Sequence, residues 1–259
     1  MLLIFREVRN GFKLIFPHKK FRWILVILSG VAAGISVSEL LVMKLFSEII
    51  VEGSDVKQSS FKFLLVFFVL FFFITRLGQY FQKNYRVRVF ENNFKSLKIK
   101  RVNKNENAKW LMAFELTNIL SYAVQLIAIL AFFVLINPLL ATINALIIIC
   151  ILSVIGKIFS QQITLQQNNQ KNSKQKGAAY RHTNRVRAGE GGALASGVGM
   201  LILLVLLLFF SINQQISMSN ALVFFLGARL QNGVLSNISR SLAKYVRSQI
   251  IVFGNSDVK

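Results

Sequence analysis

The side chains able to do covalent or metal chemistry are scarce and scattered in this chain. His18 and His182 stand far apart, with no carboxylate cluster at metal-ligand spacing near either. Cys150 is the single cysteine, which excludes a disulfide framework and a cysteine-based metal site. It sits within an apolar run and reads as a small hydrophobe. Glycines gather between Gly189 and Gly199, but without the lysine and the preceding strand that a phosphate cradle needs. They suit close helix packing or a flexible start to a span. No nucleophile elbow, zinc-binding helix motif or pair of intramembrane carboxylates is present. No catalytic residue or metal site is therefore assigned, and the chain itself is expected to hold no cofactor.

What remains is a set of polar residues inside apolar runs: Ser36, Ser38, Glu39, Asn118, Ser121, Gln125, Asn144, Ser196, Arg229 and Asn232. An ionisable or polar group in hydrocarbon is costly, so each is a candidate for a substrate pathway. Arg229 lies some eleven residues into the last apolar run, about 16 Å along a helix axis. Two readings of it stand: a substrate contact facing a bundle interior or wet cavity, and an interhelical hydrogen bond to a carbonyl or an asparagine. Asn232, Gln125, Ser121 and Glu39 complete the pathway candidates. For Glu39 the competing reading is a side chain reaching the far interface, as Lys44 does beside Glu48.

The elements that would position these residues follow from composition. The 259 residues are 54% hydrophobic and only 16% charged, too apolar for an ordinary soluble domain, and the apolar residues fall in blocks. The organising unit is residues 61–138: an apolar run, a basic segment carrying Arg76, Arg86, Arg88, Lys95 and further cations against Glu91 and Glu106, and a second apolar run. With its weakly polar flanks, each run reaches the ~20 residues needed to cross a ~30 Å hydrocarbon core. The spans predicted are Phe21–Leu45, Phe61–Tyr80, Leu120–Ile136, Leu139–Ile155, Ala193–Ile212 and Met218–Ser236. Short connections at 52–60, Asn137-Pro138 and 213–217 alternate with long polar segments at 81–118 and 156–192. Within the second of these, Gln161–Gln175 reads as a solvated helix extension or a loop. The expected fold is all-α and polytopic: six transmembrane helices, an N-terminal interfacial helix over residues 1–20, helical cytoplasmic extensions and a short tail at 251–259.

Leu2–Phe16 places Phe5, Val8, Phe12 and Ile15 on one helical face with Arg6, Arg9 and Lys13 beside it, and Pro17 ends the helix. It reads either as an interfacial helix on the inner leaflet or as a basic flank that sets topology. The net charge of +21 is explained by that topology, so no nucleic-acid partner is expected. If there are six spans, all but Lys44, Lys57, Lys62 and Arg229 of the 31 cations fall on one side. The positive-inside rule then puts both termini and both long segments in the cytoplasm of a cell (inner) membrane. The first apolar run is too long for a cleavable signal peptide.

This layout resembles the transmembrane domain of type I ABC exporters over most of residues 1–250. Phe16-Pro17 through Trp23 looks like that family's elbow into its first span. Leu135–Leu140 (LINPLL) is similar to its tight turn between the third and fourth spans, and Ser217–Leu230 (SMSNALVFFLGARL) to its turn into the sixth. The resemblance implies the membrane-spanning subunit of an exporter, paired as a homo- or heterodimer, with ATP bound on a separately encoded nucleotide-binding subunit. It implies contact with that subunit through the first cytoplasmic segment, where Asn103, Asn107 and Trp110 are the coupling candidates. The chain departs from the family in having no nucleotide-binding domain and in its shorter cytoplasmic segments. The alternative is an exporter-like membrane scaffold or accessory subunit without transport of its own. An unrelated carrier would be expected to show intramembrane acids or a broken helix, and only Glu39 comes near that.

Overall fold

A computed structural model of the chain describes residues 2–51, 58–96, 106–171 and 178–253. Seven helices account for them: α1 (Leu2–Ile15), α2 (Lys19–Val51), α3 (Gln58–Ser96), α4 (Glu106–Ile136), α5 (Pro138–Lys171), α6 (Ala178–Ile212) and α7 (Met218–Phe253). The described chain has no strand, as the apolar blocks led one to expect. Five helices are long and apolar enough to cross a membrane: α2, α3 (from Leu65), α4, α5 (to Leu165) and α6 (from Gly189). That is the make-up of a multi-pass membrane protein. α7, the predicted sixth span, is not among them, because Arg229, Gln231 and Asn232 interrupt its apolar half.

The helix boundaries follow local signals. Pro17 stops α1 two residues after Ile15. Pro138 opens α5 at the position where a missing N–H costs nothing, and the Asn137 side chain accepts a hydrogen bond from the Leu140 N–H at 3.0 Å. Ser217 caps α7 in the same way, accepting from the Asn220 N–H at 3.3 Å. The preceding turn tightens through Gln214, whose φ of 56° is left-handed.

α2 to α7 have between 31 and 39 residues each, or about 46–58 Å at 1.5 Å per residue, well beyond a 30 Å core. Most of the excess lies at the basic end. α3 continues through Arg86 and Arg88 to Ser96, and the Gln-rich stretch is helical as far as Lys171.

Paired residues fix the direction of each neighbour. Ser38 meets Thr75 at 2.8 Å and Gln82 donates to the Leu28 carbonyl at 3.2 Å, so α3 runs antiparallel to α2. Ser29 meets Ser121 and Gln125 donates to the Ala32 carbonyl, so α4 runs parallel to α2. Ser47 donates to the Ser219 carbonyl at 3.1 Å, and a Cβ built at Gly227 would lie 2.6 Å from the Phe133 ring and 3.1 Å from Leu40. α7 is thus antiparallel to both α2 and α4 and can approach them because Gly227 has no side chain. The six long helices alternate in direction, with α7 packed at the same height as the apolar walls of α2 and α4.

The N-terminal helix is docked on the bundle rather than free of it. Phe16 is fully buried against Phe90, with centroids 5.7 Å apart, and the Asn93 side chain donates to the Ile15 carbonyl at 3.1 Å. Tyr245 donates its hydroxyl to the Glu7 carbonyl at 3.2 Å. Arg6, Arg9, Lys13 and Leu14 stay exposed on the opposite face.

Candidate functional site

The densest grouping of charge inside the bundle joins α3, α4 and α7 at the basic end. Glu115, Asn118 and Tyr122 stand at i, i+3 and i+7 on one face of α4. Arg86 reaches this face from α3: its Nη1 donates to Asn118 Oδ1 at 2.8 Å, and its guanidinium lies 5.5 Å from the Phe114 ring centroid. From α7, Lys244 Nζ approaches Glu115 Oε1 at 3.5 Å. The carboxylate is only 4% exposed, whereas the lysine side chain is 52% exposed. Glu115 Oε2 and Arg86 Nε are buried without a hydrogen-bond partner among the described residues. A buried carboxylate flanked by two cations can hold three helices in register.

A second polar layer joins α2 and α3. Glu39 accepts a hydrogen bond from Gln79 Nε2 at 2.7 Å, and Arg76 donates to Gln79 Oε1 at 3.2 Å. The glutamine amide therefore links an acid to a cation that do not touch each other. The flank of Arg76 is covered by the Phe72 ring at 5.4 Å. Lys44 pairs with Glu48 at 3.7 Å, one turn apart, as the sequence spacing suggested.

The residues singled out from sequence are distributed over three seams. Ser121 Oγ meets Ser29 Oγ at 3.2 Å, and Gln125 donates weakly to the Ala32 carbonyl at 3.5 Å, so both belong to the α2/α4 seam. Glu39 belongs to the α2/α3 seam. On α7, Arg229 is exposed, and Asn232 is half-buried with its Oδ1 unpartnered among the described residues. These five do not converge on one point. Of the coupling candidates, Asn107 is exposed in the first turn of α4, and Asn103 lies outside the described residues. Trp110 packs against Phe94 (centroids 4.8 Å) and Phe90 (6.2 Å), closing the α3/α4 pair.

Sequence reading passed over Glu115 and did not anticipate the buried amide pair. Asn144 Nδ2 donates to Gln231 Oε1 at 2.7 Å and Gln231 Nε2 to Asn144 Oδ1 at 2.9 Å. The signal for Glu115 was its helical spacing with Asn118 and Tyr122. Nothing in the sequence pairs Asn144 with Gln231, since they are 87 positions apart. Among the described residues no three histidines, cysteines or carboxylates gather to hold a metal ion. Outside the apolar runs, burial pushes the Tyr245 phenol up from its ordinary value, with the nearby Glu7 adding to the shift. No protein-family model matches the chain, and no curated protein matches it.

Proposed function

We propose that this chain is the membrane-spanning subunit of an ABC-type exporter, with its ATPase supplied from outside these 259 residues. In this reading α7 is the sixth span. α1 lies at the inner interface, and both termini and the basic extensions are cytoplasmic, where their cations satisfy the positive-inside rule. The bilayer and a second six-span subunit, identical or related, are its other partners. The observation that carries the proposal is the register of α7 in a bundle of overlong helices. Gln231, which lowers the average hydropathy of α7, is doubly hydrogen-bonded to Asn144, so its burial is compensated and α7 can stand at membrane height. The α3/α4 and α5/α6 pairs that continue past the apolar height are rods of the kind that convert closure of an ATPase dimer into a rigid-body swing of helices. Trp110, locked among Phe90, Phe94 and Phe114, would stiffen the first of these rods.

One observation favours a second reading, an exporter-like scaffold without transport of its own. Ser121, Gln125 and Glu39 are each bonded across a helix seam, leaving only Arg229 and Asn232 of the pathway candidates unpartnered among the described residues.

The test is affinity purification of the tagged chain from its native membrane in mild detergent, with mass spectrometry of what accompanies it. A stoichiometric ATP-binding subunit and vanadate-sensitive ATPase activity are expected. Recovery of a different membrane complex without an ATPase refutes the exporter reading and supports the scaffold. The topology is tested separately in a Cys150→Ala background. Gln214→Cys should react with an impermeant maleimide from outside the cell, and Arg247→Cys only after permeabilisation. The same sidedness for both would remove the sixth span.

A further inference from the structure

Arg229 is an exposed cation at the height of the bundle's apolar walls, and no described residue bonds to it. Two residues earlier, Gly227 lies against Phe133 and Leu40. Seven residues later, Ser236 meets Ser196 of α6 at 2.8 Å. Counting from the Phe133 contact, Arg229 stands about 9 Å below the Asn137-Pro138 turn. A guanidinium at that depth needs an acceptor. The carboxylates on the adjoining half of α2 do not supply one, since Glu39 accepts from Gln79 and Glu48 pairs with Lys44.

The surface around it is shaped. On α7 the exposed stripe is apolar on the turn side of Arg229, at Leu222 and Phe225, and opens at Gly233 on the other. A Cβ built at Gly233, Gly34 or Gly30 meets nothing within 4 Å. The exposed stripe around the guanidinium is therefore an apolar helix surface that faces away from the α2 and α4 contacts of Gly227.

Charge decides the occupant. A second copy related by a two-fold axis at this face would set Arg229 against its own counterpart, and like charges repel strongly where the dielectric is low. We infer that the exposed stripe of α7 around Arg229 binds an anionic phospholipid of the bilayer. Its phosphate accepts from the Arg229 guanidinium, which matches a phosphate with two parallel donors, and its acyl chains lie against the exposed apolar stripe that carries Leu222 and Phe225. This rests on α7 crossing the membrane, as proposed above.

The experiment uses the full chain carrying Phe225→Trp, one turn from Arg229 on the exposed stripe. The protein is reconstituted in phosphatidylcholine vesicles containing acyl-brominated phosphatidylglycerol or acyl-brominated phosphatidylcholine. Quenching of the introduced indole is read after subtraction of the parent signal from Trp23 and Trp110. Phosphatidylglycerol is expected to quench about fivefold more strongly per mole fraction, the preference one basic side chain gives for anionic lipid. Adding Arg229→Gln should bring the ratio to about 1, while Arg229→Lys keeps a preference. A ratio near 1 with Arg229 present, or a preference that survives Arg229→Gln, overturns the lipid site and leaves the six-span reading intact. Absence of quenching by either lipid overturns both.

Discussion

Removing one member of the Asn144–Gln231 pair should cost more than removing both. Each side chain is essentially water-free, 0% and 4% exposed, and the two amides exchange hydrogen bonds of 2.7 and 2.9 Å. Asn144→Leu would leave a carbonyl and an amino group of Gln231 with no partner in the buried interior of the bundle. Each lost bond is worth about 0.6–1 kcal/mol, and an orphaned buried amide adds about 1–3 kcal/mol. Each single leucine variant loses two bonds and orphans one amide, and is therefore expected to lose about 2–5 kcal/mol. The Asn144→Leu/Gln231→Leu double variant replaces both groups by apolar ones of similar size and should lose about 1 kcal/mol or less. The assay is a double-mutant cycle in detergent micelles, titrating with dodecyl sulfate and following helicity by far-ultraviolet circular dichroism. The expected coupling energy is at least about 3 kcal/mol in favour of the double variant. Additive losses, with the double variant the least stable of the three, would refute the view that mutual satisfaction lets α7 carry an amide inside the bundle.

The Glu115–Lys244 contact is asymmetric, because the acid is buried and the base is half in solvent. Lys244→Met, which strands a buried carboxylate, should destabilise by about 1–2 kcal/mol, and Glu115→Gln by less than about 1 kcal/mol; the reverse order in the same titration would contradict this. Glycines should divide by surroundings. A Cβ at Gly192 falls onto Ser239 and one at Gly199 onto Ile151, so alanine there should cost about 1–3 kcal/mol. Gly34→Ala, at an open position, should be neutral or stabilising by up to about 1 kcal/mol, which a Tm comparison checks. The raised phenol of Tyr245 favours the neutral form in the folded protein, so its contribution is intact below about pH 10, the unfolded value, and falls as pH rises above it. Tyr245→Phe should lower stability at neutral pH by about 1 kcal/mol through loss of the bond to the Glu7 carbonyl, and should flatten the alkaline decline. An unchanged alkaline profile would exclude Tyr245 as its source.

Helix number, helix type and the punctuation at Pro17, Asn137-Pro138 and Ser217 were legible in the sequence. They depend on apolar block length and on single-residue caps, which are local properties. The predicted spans Phe21–Leu45 and Leu120–Ile136 fall inside α2 and α4, but the helices run further, through Lys19–Val51 and Glu106–Ile136. Hydropathy stops where the apolar environment stops, whereas backbone hydrogen bonding continues into the polar segments. The predicted span Met218–Ser236 falls inside α7, but α7 is not among the helices long and apolar enough to cross a membrane, since Arg229, Gln231 and Asn232 lower its average hydropathy. Trp110 illustrates the same limit for the site residues. The resemblance implied a coupling role for it, and spacing gave no sign that its ring packs against Phe90, Phe94 and Phe114.

The sequence by itself determined that this chain is an all-helical, multi-pass membrane protein with its cations gathered in the segments between apolar runs. Both features are sums over neighbouring residues, and such sums need no knowledge of the fold. Only the tertiary structure decided which polar side chains answer one another: Asn144 with Gln231, Glu39 with Gln79, Arg86 with Asn118 and Lys244 with Glu115. These partners come from different helices, and their meeting depends on helix direction and register, which packing at glycines such as Gly227 sets and one-dimensional spacing does not encode. The same packing leaves Arg229 without a partner among the described residues, so the acceptor its charge requires is sought in the surrounding bilayer.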